Sequence, residues 1–220
     1  MDKLISITTA ISKIKDGDTI MVGGFLANGT PEKLIDALVK SGIKNLTLIC
    51  NDTGFIDKGV GKMVVAKQFK KIITSHVGTN KETGRQMNAG ETQVVLVPQG
   101  TLAEQVRAGG FGLGGVLTKT GLGTLVEEGK QKVTVDGEIY LLEKPLKADV
   151  ALLYGTRVDK NGNISYQGST LNFNNIMAAA AKIAIVEAEE LVEVGQINPN
   201  LVSTPGVFID YIVDGGLING

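Results

Sequence analysis

The sequence predicts an α/β protein with an open, mostly parallel sheet that is flanked by helices and carries an antiparallel hairpin excursion. Through the first half of the 220-residue chain, short apolar runs typical of buried strands alternate with helix-forming segments. Two turn signals, Asp136-Gly137 and Asn161-Gly162, lie between β-favouring runs and predict antiparallel pairing. Apolar residues make up 43% of the chain and charged residues 20%, which favours a large core over disorder.

The first half follows a βαβ order. Residues Thr19–Val22 are apolar or β-favouring and follow the turn formers Asp16-Gly17-Asp18, so they are expected to form a buried strand. In open parallel sheets, ligands bind beyond the carboxyl ends of such strands. The expected elements are helices over 6–14, 31–40 and 101–108, and strands over Thr19–Val22, Leu46–Ile49, 72–75 and 92–97.

The second half mixes both kinds of element. Four consecutive alanines within residues 173–181 favour a tightly packed helix. The expected strands are 133–135 paired with 138–141, a central strand over 150–154, 158–159 paired with 164–166, a strand over 183–187, and a last strand with a tail over 210–216. No linker-like or repeated segment separates these elements, so we expect one domain over residues 1–220.

Residues 109–123 form the most glycine-rich segment of the chain. Gly110, Gly112 and Gly115 satisfy the spacing Gly-x-Gly-x-x-Gly, but a dinucleotide-binding fingerprint must follow a strand and open a helix. Because a helix is expected before this segment, we expect a mobile or substrate-facing loop and no nicotinamide cofactor.

The most informative segment runs from Asp16 to Pro31, because it joins a strand, a glycine loop and a helix start. Glycines at 23, 24 and 29 let the backbone bend or approach a ligand closely. Thr30 offers a capping hydroxyl, and the fixed φ of Pro31 suits a first helical position. We therefore expect an anion or a developing oxyanion to bind beside the free N–H groups of this helix start.

Charge and composition exclude several classes of function. A formal net charge of −1 leaves no basic footprint for nucleic acid. No apolar run approaches the roughly 18 residues of a membrane span, and the N-terminal residues have no signal-peptide pattern. One cysteine fits a reducing compartment, so a soluble, cytoplasmic protein that binds no membrane is expected.

Cys50 and His76 are the only residues of their kinds in the chain. Cys50 ends an apolar run and is expected to be a buried hydrophobe rather than a nucleophile. His76 follows a strand, where a structural or loop-ordering role is favoured over catalysis. No metal-ligand spacing occurs, so no metal site is expected.

The segment from Asp16 to Pro31 resembles the signature of the first half of family I coenzyme A (CoA) transferases, and it matches at every fixed position. A second segment, Arg107 to Gly110, resembles an Arg-Ala-Gly-Gly segment of the same family. The resemblance implies an α subunit and a covalent transfer in which a glutamate attacks an acyl-CoA and becomes a glutamyl-CoA thioester. CoA is then a substrate, and no tightly bound cofactor is implied.

The resemblance also implies that the active site is formed by two chains. The catalytic glutamate of the family lies in a Ser-Glu-Asn-Gly motif of the other half, and the sequence contains no such tetrapeptide. We therefore expect no catalytic nucleophile in this chain, no activity from it alone, and a β subunit in an α2β2 assembly. The substrates would be an acyl-CoA, such as acetoacetyl-CoA or butyryl-CoA, and a short-chain carboxylate such as acetate.

The resemblance implies a loop that binds CoA, and the residue types in and around it give further site candidates. Asn28 is the one side-chain amide of the glycine loop, so it either orients the thioester or an oxyanion, or only supports the turn. Gln86 and Gln99 are candidates for the acid-binding pocket, while Arg85 and Arg107 either attract carboxylates or form surface ion pairs. The loop expected to bind CoA comprises Gly24, Phe25, Leu26, Ala27, Asn28, Gly29 and Thr30.

Two alternatives remain open from the sequence. A sugar-phosphate isomerase or another phosphate-binding enzyme of the same broad fold would need a proton-shuttling acid or histidine in the site. A non-catalytic CoA-binding protein would keep the glycine loop without a catalytic partner.

Overall fold

A parallel sheet lies at the centre of the computed structural model, which describes residues 2–216. The strands within the described residues are β1 (Thr19–Val22), β2 (Leu46–Ile49), β3 (Phe69–Thr74), β4 (Gln93–Leu96), β5 (Val116–Thr118), β6 (Lys132–Val135), β7 (Glu138–Glu143), β8 (Ala148–Asp159), β9 (Ile164–Ser165), β10 (Ala181–Val192) and β11 (Tyr211–Asp214). The α-helices of the same residues are α1 (Ile7–Ile11), α2 (Glu32–Ser41), α3 (Gly61–Val65), α4 (Lys81–Asn88), α5 (Gln99–Gly110) and α6 (Asn174–Ala178).

The main sheet has the strand order β11-β10-β8-β1-β2-β3-β4, with β9 added antiparallel to β8. Every neighbouring pair along that order is parallel. The chain moves from β1 outward through β4 on one side and later returns to β8 on the other side. The order therefore reverses beside β1, and a crevice at the carboxyl ends of these strands is the expected ligand site.

The central strands are buried on both faces because helices cover both sides of the sheet. Ile20 and Val22 of β1 pack in one cluster with side chains of α1, α2 and α3. Met21 points to the opposite cluster, which includes Leu102 and Val106 of α5 and Met177 of α6. This arrangement confirms the predicted α/β class with a mostly parallel sheet and flanking helices.

The Asp136-Gly137 turn closes the predicted hairpin, and both residues have positive φ angles, 51° and 81°. The hairpin strands β6 and β7 do not join the main sheet. It pairs with β5 and forms a separate antiparallel sheet in the order β5-β7-β6.

The glycine-rich segment differs from the expected loop. Gly109 and Gly110 are the last residues of α5, and Val116–Thr118 is a strand. A Cβ at Gly109 would lie 1.8 Å from the carbonyl oxygen of Leu146, so close packing of the helix end requires glycine there. Only the stretches between and after these two elements are irregular.

Several element boundaries were predicted wrongly. Helices α1 and α6 are shorter than expected, and β3 begins at Phe69. Helices α3 and α4 were not predicted, because α3 has only five residues and α4 is polar, with few buried positions. The last strand, β11, matches the expected one, and residues 217–220 lie outside the described part of the chain. The single-domain expectation stays a prediction.

Candidate functional site

The loops that follow β1, β2 and β3 meet the start of α5 at one edge of the main sheet. Together they enclose a cavity of about 370 Å³. Its walls combine two apolar side chains with hydroxyl, amide, carboxylate and imidazole groups, as is usual for small-molecule sites. The lining residues are Phe25, Leu26, Asn51, Asp52, Ser75, His76, Thr79 and Gln99.

The loop after β1 is a tight, strained turn. Phe25 and Asn28 exchange two backbone hydrogen bonds, at 3.0 and 2.9 Å. At its apex, Leu26 and Ala27 have φ angles of 48° and 64°, a left-handed conformation that is unfavourable for residues with a Cβ. Such strain persists only where surrounding contacts hold it, and it is concentrated at functional sites.

The buried carboxylate of Asp52 accepts a hydrogen bond from this loop. Asp52, which is 5% exposed, accepts the backbone N–H of Leu26 at 2.9 Å and the side-chain amide of Asn51 at 2.7 Å on Oδ2. Its Oδ1 accepts the backbone N–H of Gly54 at 2.7 Å. The carboxylate therefore joins the loops that follow β1 and β2.

Gln99 lies in the cavity wall, together with Phe25 and Leu26 of the glycine loop. Its Nε2 donates to Asn51 Oδ1 at 2.7 Å, and the Asn51 backbone carbonyl accepts the Ser75 hydroxyl at 2.6 Å. Because one of its two N–H groups suffices for Asn51, the second N–H and the amide oxygen are available to a ligand.

His76 is an exposed residue of the same cavity. A Cβ at Gly78 would lie 2.9 Å from the imidazole, so glycine at that position leaves room for the ring. The imidazole therefore faces the cavity from the loop that follows β3, at a position from which it can contact a ligand.

The side chain of Asn28 lies beside the cavity rather than in its wall. Its Nδ2 donates to the Ser169 hydroxyl, and its backbone carbonyl accepts Asn172 Nδ2 at 3.1 Å. Asn174 Nδ2 donates to the carbonyl of Gly29 at 2.9 Å. The side-chain amide of Asn28 thus ties the glycine loop to residues 169–174.

Gln86 does not reach the cavity. It is 2% exposed, and its Nε2 donates to the carbonyl of Val64 and to Glu82, each at 2.8 Å. Its Oε1 accepts the Thr92 hydroxyl at 2.9 Å. All of its polar atoms are engaged within the protein, so the structure places this residue in a packing role between α4 and its neighbours.

The predicted anion site at the start of α2 is filled by the protein itself. The helix begins after Pro31, and Thr30 makes no capping hydrogen bond. The buried carboxylate of Glu187 accepts the N–H of Leu34 at 2.8 Å and that of Lys33 at 3.3 Å. Burial raises the pKa of Glu187, and these two hydrogen bonds oppose that shift. The expectation that a ligand anion binds these N–H groups is therefore wrong.

The apex of the glycine loop still offers an unused donor. The backbone N–H of Leu26 is bonded to Asp52, whereas within residues 2–216 the N–H of Ala27 has no acceptor. Ala27 directly follows Leu26, which lines the cavity. A backbone N–H group whose direction is fixed by a tight turn can stabilise negative charge on an oxygen atom without a charged side chain.

Cys50, Arg85 and Arg107 lie in surroundings that favour structural roles. Cys50 is buried, and burial raises the pKa of its thiol, so it is not a reactive nucleophile. Arg85 pairs with Glu82 and Glu91, and Arg107 pairs with Glu104, in agreement with surface ion pairing.

The described residues contain neither a metal-binding cluster nor a membrane-spanning helix. Across residues 2–216, His, Cys, Asp and Glu side chains form no group that could hold a metal ion. None of the helices in this range combines the length and apolar character of a membrane span.

Sequence reasoning missed the residues that hold the loop, namely Asp52 and the segment 169–174. One signal could have found the first. The chain repeats Gly24-Phe25 as Gly54-Phe55 after its second strand, with Asp52 just before the repeat. Polar residues between a buried strand and such a loop are typical of an α/β binding edge. No comparable signal marks Ser169 or Asn172, which lie far away along the chain.

Known proteins resemble this chain over nearly its full length. It is 55% identical over 211 residues to the acetate CoA-transferase subunit alpha of Escherichia coli (strain K12), covering 96% of each chain. It is 56% identical to the acetoacetyl-CoA:acetate/butyrate CoA transferase alpha subunit of Clostridium acetobutylicum, covering 96% of this chain and 97% of that one.

Solved structures share the fold at low sequence identity. Glutaconate coenzyme A-transferase from Acidaminococcus fermentans superposes with a TM-score of 0.84 at 20% identity, over 96% of this chain and 75% of that one. An acyl-CoA transferase of Escherichia coli O157:H7 gives 0.87 at 21% identity, and this chain spans 48% of its length. A family profile described as coenzyme A transferase matches residues 4–215. The chain belongs to the coenzyme A transferase family.

Proposed function

We propose that this chain is the α subunit of a two-chain CoA-transferase. The enzyme moves CoA between a short acyl-CoA, such as acetoacetyl-CoA or butyryl-CoA, and acetate or a similar short acid. The observation that carries this proposal is the similarity to two α subunits of such enzymes over 96% of the chain. Neither alternative function, a sugar-phosphate isomerase or a non-catalytic CoA-binding protein, has comparable support.

The composition of the cavity supports a chain that binds and orients substrates. Its charged carboxylate, Asp52, is occupied by three hydrogen bonds and is not free to attack a thioester. The nucleophilic glutamate is therefore assigned to a β subunit, and an α2β2 assembly is the expected form. CoA is a substrate here, and the protein is expected to work in the cytoplasm.

The glycine loop over residues 24–30 forms one wall for the acyl-CoA. Covalent transfer through a carboxylate develops negative charge on the thioester oxygen, and a fixed N–H donor lowers the barrier. The free N–H of Ala27 fits that role better than the side chain of Asn28, which is engaged by Ser169.

The acid substrate is assigned to the part of the cavity lined by Gln99. Gln99 offers one N–H and its amide oxygen there, and His76 also lines the cavity. A neutral amide can bind a carboxylate in one half-reaction and an acyl oxygen in the other, because it carries no charge of its own.

The test compares this chain alone with the assembled two-chain enzyme. Each is assayed for CoA transfer from acetoacetyl-CoA to acetate, and intact-mass spectrometry then locates covalently bound CoA. The expected result is activity only in the assembly, with CoA attached to the β chain. Full activity of the isolated chain, or CoA attached to it, would contradict the split site. Thermal stabilisation by a ribose phosphate but not by CoA would favour the isomerase alternative.

A further inference from the structure

Two loops with the same glycine spacing follow neighbouring parallel strands. The first loop (residues 24–29) follows β1, and the second loop (residues 54–59) follows β2. Each begins with Gly-Phe and ends with glycine, and each exposes an aromatic and an aliphatic side chain. A backbone bridge closes each loop, between Phe25 and Asn28 in the first and between Phe55 and Lys58 in the second.

The two loops are in contact with each other. A Cβ at Gly59 of the second loop would lie 3.3 Å from the Cβ of Ala27 in the first. The N–H of Gly59 also donates to Glu32 Oε1 at 2.8 Å, at the start of α2. The second loop is therefore packed against both the apex of the first loop and the helix that follows it.

One carboxylate bonds to both loops. Asp52 accepts Leu26 N–H at the apex of the first loop and Gly54 N–H at the start of the second. Its third donor is the side-chain amide of Asn51, whose oxygen accepts Gln99. The carboxylate thus connects the glycine loop to Gln99 through Asn51.

The first loop needs this support more than the second. Leu26 and Ala27 both have left-handed φ angles, whereas the non-glycine residues of the second loop do not. A non-glycine residue leaves this conformation readily unless a contact holds it. If the Leu26 N–H lost its acceptor, the peptide unit between Phe25 and Leu26 would lose its hydrogen bond to Asp52, and the strained turn that orients the Ala27 N–H could relax.

We infer that Asp52 is a positioning residue that holds the apex of the first loop, so that the Ala27 N–H faces the reacting oxygen. This inference rests on the proposed transferase function. Asp52 contacts no reacting atom in this role and acts through the backbone of Leu26. Its loss is therefore expected to lower kcat more than it raises KM for either substrate.

The test replaces Asp52 by Asn in the assembled enzyme. The substitution keeps the volume but turns one acceptor oxygen into a donor, which then opposes an N–H group. The matched control is Asp159→Asn at the carboxyl end of β8, because Asp159 is outside the cavity lining. Asp159 is 3% exposed and accepts the backbone N–H groups of Asn161 and Asn163 at 3.0 and 2.9 Å, together with Asn163 Nδ2 at 2.9 Å.

For Asp52→Asn we expect kcat to fall at least about tenfold with KM changed less than about threefold, because small misplacement of a catalytic donor is costly. Amide hydrogen exchange in a peptide covering residues 23–31 should rise. Asp159→Asn is expected to lose a similar amount of thermal stability and to keep kcat. Equal kcat losses in the two variants, or an unchanged exchange rate in residues 23–31, would overturn the inference.

Two further variants test the role of Asp52. If Asp52→Asn does not assemble, Asp52→Ser is compared in the same way, since its hydroxyl can accept one N–H. In the double variant Asp52→Asn/Ala27→Gly, glycine removes the penalty for a left-handed φ at position 27, and part of kcat should return. A wild-type assembly without CoA-transferase activity would contradict the proposed function, whereas an active wild type with an unaffected Asp52→Asn would contradict only the role of Asp52.

Discussion

The carboxylate of Glu187 accepts the backbone N–H of Leu34 at 2.8 Å, so a strand near the far edge of the sheet caps the first turn of helix α2. The glycine loop that precedes α2 therefore does not end at an open anion site. What it presents instead is the N–H of Ala27 at its own apex. In the proposed function, the donor for a reacting oxygen is therefore this strained turn rather than a helix start.

Replacing Glu187 by Ala is expected to lower the free energy of unfolding by about 1–3 kcal/mol, because it leaves the N–H groups of Lys33 and Leu34 without their acceptor. Glu190→Ala on the same strand serves as the control, since Glu190 forms an exposed pair with Arg157. That change should cost about 0–1 kcal/mol. Urea unfolding measures both, and equal losses would contradict the capping role.

Gln99 and Gln86 are expected to respond differently to substitution by Ala. Gln99→Ala in the assembled enzyme should raise KM for the acceptor acid by about tenfold, the loss of one hydrogen bond to its carboxylate, with little change in stability. Gln86→Ala should instead lower the melting temperature and leave KM unchanged, because its amide bonds to Val64, Glu82 and Thr92. Steady-state kinetics and thermal unfolding separate the two, and a raised KM in Gln86→Ala would contradict this assignment.

Asn28 and Ser169 are expected to act as one unit, because the Asn28 side-chain amide donates to the Ser169 hydroxyl. Asn28→Ala and Ser169→Ala should therefore lower kcat to a similar extent, and the double variant should add little. Kinetics of the two single variants and of the double variant test this coupling. A loss of about a hundredfold in Asn28→Ala alone would instead indicate that its amide turns to the substrate and serves as an oxyanion donor.

The surface cluster around Arg85 is expected to give a small, pH-dependent contribution to stability. Hydrogen bonds from Arg85 lower the pKa of Glu82 and of Glu91 to about 2, assisted by Gln86 and Lys67 respectively. Because these values lie below the ordinary 4.5, the contribution is present above pH 4.5 and is lost as the pH falls toward 2.

The measurement is the urea midpoint of Arg85→Met against wild type between pH 7 and pH 3. The variant should be slightly less stable at pH 7, and the difference should shrink below pH 4.5 and at 1 M salt, where screening is strong. A difference that grows on acidification would contradict the sign. Catalysis should be unchanged, because Arg85 is bonded on the surface and does not line the cavity.

The strands Thr19–Val22 and Leu46–Ile49 were predicted to the residue, because a short apolar run between polar turn formers has few other stable solutions in a parallel sheet. Helix α4 was missed for the opposite reason. Its N-terminus depends on Asn80, whose side chain accepts the N–H groups of Glu82 and Thr83, while the helix itself has little apolar periodicity.

Local pattern therefore determined the α/β class, the glycine loop after the first strand and the family of the protein, because each depends on residues that are close together in the sequence. Tertiary structure alone decided which polar groups surround that loop. Two glutamines proposed from the sequence for the same pocket separate into a cavity wall and a packed interior, and a carboxylate more than a hundred positions away fills the expected anion site. Hydrogen bonds form between groups that are close in space, and folding brings together residues that are far apart in the sequence. The local sequence around each residue therefore does not predict its partner.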